Sequence, residues 1–317
     1  MHEPRDRSGT FKIRDASSYD PVAEVFDRFA KRLSTPLAER MVEMAHPGPS
    51  DRLLDVGTGT GVVALAAARA LAPEGRVVGL DLSDGMLRVA AANAATAGLD
   101  RRIAFLKSDA ETLDFPDHSF DAVLSLFVLM HLPNPGATLR EMHRVLRPGG
   151  RLVIAFGSGA PLFSLAGLRQ RLGRVPELIH RLRGRWLNAT AFLDALVARS
   201  LPPGAEPETA AAAHHHGSPA PDVLARAAGF TAVRSAWHGY LAFIDTPEDF
   251  WELQATYSTF ARKRLSAAVP EKVETLKETF METCRAVQSR QGRLAYRYGA
   301  TFVTARRPAS EPRVAEP

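Results

Sequence analysis

Cysteine is almost missing from this chain. Among 317 residues there is one, Cys284. A lone thiol forms no internal disulfide and cannot build a multi-cysteine zinc site. That fits a reducing compartment. Long apolar runs are missing too. The longest, FDAVLSLFVLM, contains an aspartate and is too short to cross a bilayer. The first residues, MHEPRDRSGTFKIRDASS, offer no apolar core of a signal peptide. No excess of one charge stands out. Lys and Arg number 40 against 35 Asp and Glu, a net charge of +5, which is mild for this length and does not imply nucleic acid. The expectation is a soluble cytoplasmic protein of about two domains, or one with insertions. The apolar share, 45%, is ordinary for a globular chain and allows a real core. No internal repeat is visible.

What is present is LLDVGTGTG, residues 53–61. Leu53, Leu54 and Val56 read as the end of a buried strand. Gly57, Gly59 and Gly61 then allow a tight turn and close approach to a ligand. VVALAAARALA follows as a helix rich in good formers. Strand, glycine turn and helix start aim free N–H groups at a ligand. A dinucleotide fold wants G-x-G-x-x-G, but Val62 stands in place of the third glycine. A P-loop would need a lysine after its last glycine, and none follows Gly61. There is no G-x-S-x-G nucleophile elbow. Asp55, directly before the turn, would gain nothing beside a pyrophosphate, whereas a ligand with a cationic end would favour it. S-adenosylmethionine has such an end, an ammonium and a sulfonium without phosphate.

The rest of the chain supports that choice. After helical segments near 20–33 and 36–46, strands and helices alternate. GRVVGLDL, RIAFLKSD, FDAVLSLFVL and GRLVIAFG read as strands two to five, with SDGMLRVAAANAATAG and PGATLREMHRVLRPGG as helices between them. That order implies a parallel sheet covered on both faces. Asp81 ends the second strand, where an acid can accept from both ribose hydroxyls. Asp109 ends the third, where it can accept from the adenine amine while Ala110 offers its N–H to the ring. Met86 can lie on an adenine face. Thr58, Leu82 and Ser125, at the same strand ends, complete the candidate cofactor set. Farther along, PDVLARAAGF reads as a helix, TAVRSAWHGYLAFI and GRLAYRYGATFVTARRP as strands, and TPEDFWELQATYSTFARKRL and PEKVETLKETFMETCRAVQSR as helices.

LLDVGTGTG, VVGLDLSDGML and KSDAETLDFPDHSFDAVLSLFVLMHLPNPGATLREMHRVLRPGGRLVI together resemble the class I S-adenosylmethionine-dependent methyltransferases, more narrowly the group of ubiquinone and menaquinone C-methyltransferases. YDPVAEVFDRF resembles that group's N-terminal helix, which caps the cofactor. The resemblance covers about residues 19–157. It implies an α/β, Rossmann-like, seven-stranded and mostly parallel sheet with helices on both faces, its last strand antiparallel, and a helical lid. The domain reading is a flexible arm at 1–18 and a cofactor-binding core with capping helices at 19–157. A lid insertion and loop follow at 158–220, then completion of the sheet at 221–307 with a helical substrate lid at about 240–292, and a disordered tail at 308–317.

Several residues carry two readings. His131, after the fourth strand, is the candidate general base. The competing reading, a histidine that orients its loop, is favoured, because alkylation by a sulfonium is driven largely by positioning and water exclusion. Tyr19 and Phe26 either close over the cofactor, where an aromatic face suits a sulfonium, or simply pack. His214, His215 and His216 are consecutive, so they rarely reach one ion, and no metal site is expected. LRQRLGRVPELIHRLRGRW, residues 168–186, reads as a lid with solvated arginines rather than a nucleic-acid or membrane surface. Trp186, Phe192, Trp237, Phe243, Phe250, Trp251 and Tyr257 line a pocket or form core. The expected activity is methyl transfer to an O or C atom of a small, largely apolar acceptor resembling a quinone, phenol or polyketide, with no nucleic-acid partner and no stable membrane insertion. The rivals are a nucleic-acid methyltransferase, a non-catalytic S-adenosylmethionine-binding protein and a dinucleotide oxidoreductase. Against the first, SLFV replaces an N-P-P-aromatic tetrad after the fourth strand, and Cys284 lies in a late helix.

Overall fold

The computed structural model describes residues 7–157, 186–188, 192–202 and 219–309. The basic stretch at 168–185, the His214–His216 run and the last eight residues lie outside the described residues.

Chain contacts divide the protein into two units, Met1–Phe156 with His214–Ala236 and Thr301–Pro317, and Gly157–Ala213 with Trp237–Ala300. The first is built on strands β1 (Arg52–Val56), β2 (Arg76–Asp81), β3 (Ile103–Lys107), β4 (Phe120–Leu126) and β5 (Leu146–Gly157). They lie in the order β3-β2-β1-β4-β5, with each neighbouring pair parallel. Reversal of the chain order on either side of β1 places a crevice between β1 and β4 at their carboxyl ends, where such sheets bind ligands. β4 is apolar because both of its faces are covered, and Phe120, Ala122, Val123 and Leu124 are fully buried.

The sheet is completed by β7 (Thr231–Ile244) and β8 (Arg293–Arg306), with β8 beside β5 and β7 beside β8. The Arg307 N–H donates to Gly150 O at 2.9 Å and the Gly149 N–H to Arg307 O at 3.1 Å. These bonds put the end of β8 at the start of β5, so β8 runs against it. The seven strands and the reversed last one are the architecture that the resemblance implies.

Helices α1 (Arg7–Ser17), α2 (Ala23–Leu33), α3 (Thr35–Ala45), α4 (Val62–Ala70), α5 (Asp84–Thr96) and α6 (Pro135–Val145) belong to this unit. Local chemistry sets their limits. Ser83 accepts from the Met86 N–H and caps α5; Asn134 accepts from the Ala137 N–H and caps α6. The helix expected to run through LRPGG stops at Val145, since Pro148 cannot continue it. Buried Arg307 satisfies the exposed carbonyls there, donating to His143, Arg144 and Leu146 oxygens at 2.9, 2.9 and 2.7 Å. Arg7–Ser17, read in the sequence within a flexible arm, is helical. Ion pairs anchor it to distant loops.

The second unit contains β6 (Trp186–Asn188), parallel to the start of β8, and helices α7 (Phe192–Ser200), α9 (Pro247–Tyr257), α10 (Thr259–Ala267) and α11 (Pro270–Ser289); the short α8 (Pro221–Ala227) belongs to the first unit. The single helix expected over 246–265 is two, because Ser258 leaves helical geometry and caps α10 through the Ala261 N–H. The Phe280 ring lies 5.7 Å from Phe250, 5.4 Å from Trp251 and 5.3 Å from half-buried Phe192. Phe250 and Trp251 are therefore core of this unit. Cys284 is buried as well, and burial pushes its thiol up to about 12, so it is no nucleophile. Among the described residues no helix is long and apolar enough to cross a membrane, and no group of His, Cys, Asp and Glu is placed to hold a metal.

Candidate active site

The glycine loop bridges β1 and α4. Gly57, Gly59 and Gly61 all hold positive φ, at 70°, 54° and 87°, which L side chains adopt at a cost. Two of them differ instructively. A Cβ on Gly57 would fall 2.1 Å from Val128 Cγ2, whereas one on Gly59 would meet nothing within 4 Å. Gly57 is demanded by packing, and Gly59 faces open space. The Thr58 N–H donates to Leu80 O at 2.7 Å and joins the loop to β2.

Asp81 organises the crevice. One carboxylate oxygen accepts the Gly59 N–H and the other the Ser83 N–H, both at 2.9 Å. The Leu82 N–H also favours its charged form. Burial raises its pKa, opposed by these N–H groups and by the charge of His131. Asp55 sits deeper. It is 1% exposed and accepts the Thr58 hydroxyl at 2.7 Å on one oxygen. Its other oxygen, Oδ1, is buried without a hydrogen-bond partner. Burial, reinforced by the charge of Asp81, pushes this carboxyl up to about 7.

The remaining candidates take varied places. Asp109 accepts the Glu111 N–H at 2.9 Å on one oxygen and pairs with Lys12 of α1 at 2.5 Å on the other. Lys12 also reaches Glu111 at 2.7 Å. Ala110 has its methyl in the core of the unit. Met86 is buried against Ala23 and Val89, with Tyr19 and Phe26 packed on the same cluster. Leu82 is half-buried beside Asp81. Ser125 is buried and its hydroxyl donates to Val56 O at 2.9 Å, which ties β4 to β1 and occupies that hydrogen.

His131 ends a short 3-10 turn, Leu129–His131, just past β4. Phe127 precedes that turn at φ 61°, a conformation uncommon for a bulky residue. His131 Nδ1 lies 2.9 Å from Asp15 Oδ2. The Tyr19 ring meets the imidazole edge-on at 6.0 Å between centroids and meets Phe26 at 5.9 Å. Sequence reasoning missed three members of this constellation, Lys12, Asp15 and Asp20. Asp20 accepts the Ser83 hydroxyl at 2.6 Å and the Gly85 N–H at 2.9 Å. A Cβ on Gly85 would come within 2.7 Å of the Asp20 backbone, so that glycine marks the close approach.

The donors present fit S-adenosylmethionine. An orphaned carboxylate oxygen at Asp55 calls for a cation or an N–H donor, open space adjoins Gly59, and the Asp81 carboxylate beside it can accept from a hydroxyl. A phosphate would meet Asp55 and Asp81 instead, with no cation of its own to offer.

Residues 54–154 match the methyltransferase domain family. Aklanonic acid methyltransferase from Streptomyces sp. (strain C5) is 33% identical over 157 residues, which cover 50% of this chain and 69% of that protein. The ubiquinone/menaquinone biosynthesis C-methyltransferase of Pseudomonas putida is 34% identical over 163 residues, 48% of this chain and 64% of that one. Alignment thus spans about two thirds of these relatives and about half of this chain. Over nearly full length the fold is similar to that of the [4+2]-cyclase SpnF, at a TM-score of 0.56 and 19% identity, covering 94% of this chain and 97% of that one. The 33% identity to a relative of which this chain covers 69% identifies the chain as a member of the class I S-adenosylmethionine-dependent methyltransferases.

Proposed function

We propose that the protein transfers a methyl group to an O or C atom of a small, largely apolar acceptor of the quinone, phenol or polyketide kind. The observation that carries this reading is the pairing of Asp81, which fixes Gly59 and Ser83, with the unsatisfied oxygen of Asp55. In this reading Asp81 accepts the ribose hydroxyls, Asp55 faces the cationic amino-acid end, and Gly57, Thr58, Gly59 and Gly61 shape the loop. Leu82, Met86, Asp109, Ala110 and Ser125 border the nucleoside, and Tyr19 with Phe26 covers it. When bound, the cofactor supplies an electrophilic methyl on a sulfonium.

The chain's own residues position, dry and order the site. Asp81 and Ser83 hold the loop in one geometry before any ligand arrives, so little ordering cost remains at the moment of reaction. The aromatic cluster of Tyr19 and Phe26 on Met86 excludes water beside the reacting centre. Met130 is 43% exposed directly before His131, an apolar surface suited to an apolar acceptor. The acceptor class also follows the relatives, whose names specify aklanonic acid and ubiquinone or menaquinone biosynthesis. Fold likeness alone would not decide the chemistry, since the cyclase shares the fold.

Calorimetric titration with S-adenosylmethionine, S-adenosylhomocysteine and NADPH tests the cofactor assignment. The expected result is binding of the first two at micromolar level and none of the third. Labelled methyl transfer to aklanonic acid, demethylmenaquinone and simple phenols then tests the acceptor class. Cofactor binding with no transfer to any pool would favour a non-catalytic binding protein, and transfer to RNA alone would overturn the small-molecule reading.

A further inference from the structure

We infer that Asp15 and His131 form a dyad in which Asp15 is a positioning residue that fixes the imidazole tautomer and leaves His131 Nε2 as the proton acceptor for the methyl acceptor's acidic O–H or C–H. This rests on the proposed function for its catalytic part, and on geometry alone for the tautomer.

Asp15 lies on α1, 116 residues from His131 in sequence, and its carboxylate oxygen is 2.9 Å from Nδ1. Its side chain is 4% exposed and that of His131 is 29% exposed. A carboxylate accepts only, so Nδ1 carries the hydrogen and donates. Nε2 is then the nitrogen with a lone pair, and among the described residues it has no partner. The arrangement follows the logic of a buried acid that orients a catalytic histidine.

The surroundings reinforce the geometry. Tyr19 packs edge-on against the ring and limits its rotation. Asp81, at the end of β2, is near enough to feel the charge of His131. Lys12, one turn before Asp15, is held by Asp109 and Glu111. Asp15 and Tyr19 therefore contact the ring, and Asp81 lies near it. In the proton step the acceptor's O–H or C–H bond breaks, its electron pair stays on the acceptor atom, and a new N–H forms at Nε2. The imidazolium sits against Asp15 until the proton passes to water.

Nitrogen-15 spectra of the histidine rings test the tautomer directly, with the His131 signals assigned by their loss in His131→Asn. Wild-type protein at pH 8 is expected to show the Nδ1–H form. Asp15→Asn, whose amide can donate to Nδ1, is expected to switch it to Nε2–H. With the acceptor that turns over, kcat in this variant falls about 10²-fold or more at unchanged KM, while S-adenosylmethionine affinity is unchanged. Asp15→Glu restores part of kcat if positioning is the role. An Nε2–H ring in wild-type protein, or a switched tautomer with unchanged kcat, overturns the inference. Failure of wild-type protein to bind S-adenosylmethionine would instead overturn the proposed function and the catalytic part with it, while the ring spectra still decide the dyad.

Discussion

Asp55 offers the most quantitative prediction. Its carboxyl is 1% exposed and its pKa is pushed from 3.8 up to about 7, first by burial and then by the charge of Asp81. In the unfolded chain it ionises near 3.8, so between that pH and about 7 the folded state holds one more proton than the unfolded state. Stability then falls as pH rises through this window, by about 1.4 kcal/mol per pH unit, and levels off above it. Across the window the loss approaches about 4 kcal/mol. Asp55→Asn removes the titration while keeping the shape and the hydrogen bond from Thr58. Urea unfolding of both proteins without cofactor, from pH 5 to 9, isolates the effect as a difference curve. Wild-type stability is expected to drop relative to the variant between pH 5 and 7 and to run parallel above pH 8. A flat or rising difference would refute the burial argument. Cofactor binding should reverse the pattern: a cation beside Asp55 keeps it ionised, so binding near pH 6.5 releases a proton that Asp55→Asn does not release. Buffer-dependent calorimetric enthalpies measure that proton, and comparison with the variant cancels the ligand's own amine.

Three further substitutions separate the parts of the crevice. Asp81→Ala removes both anchors of the loop and the ribose contacts, and is expected to weaken S-adenosylmethionine binding by about 1–3 kcal/mol in calorimetry; unchanged affinity would sink the ribose assignment. Gly57→Ala drives a methyl to 2.1 Å from Val128 and is expected to lower the melting temperature far more than Gly59→Ala, whose methyl meets nothing within 4 Å. The Gly59 variant carries only the left-handed penalty of about 1–2 kcal/mol and should instead lose cofactor affinity, because its methyl enters the ligand space. Equal melting of the two variants would refute this division.

Much of this was legible before folding, for definite reasons. Asp55, Asp81 and Asp109 stand at strand ends, so binary pattern alone places them along one edge. Gly57, Gly59 and Gly61 carry the backbone requirement in their identity. Orientation was less legible. Ser125 was expected at the cofactor, yet its hydroxyl hydrogen is spent on Val56 O, a choice set by the β1–β4 register. Asp109 is expected to accept from the adenine amine, and Lys12 occupies one of its oxygens. Phe127 gave no sign of its positive φ, since a bulky aromatic is among the last residues expected there.

Helix α1 shows why such contacts escape sequence reasoning and what they accomplish together. RSGTFKIRDAS has no clean apolar period, and its helicity rests on partners about a hundred residues away: Lys12 on Asp109 and Asp15 on His131. With Asp20 on Ser83 and Gly85, the segment from Lys12 to Asp20 reaches the loops after β2, β3 and β4. The same edge gathers Asp15, Asp55, Asp81, Asp109 and Glu111, with Lys12 as their ammonium and His131 as their imidazole. Burial and the neighbouring charge of Asp81 together disfavour the ionised form of Asp55. An anionic ligand would deepen that conflict, whereas a ligand with an ammonium and a sulfonium relieves it. In the proposed function these same acids select a cationic cofactor, most strongly at Asp55, where one buried oxygen lacks a hydrogen-bond partner.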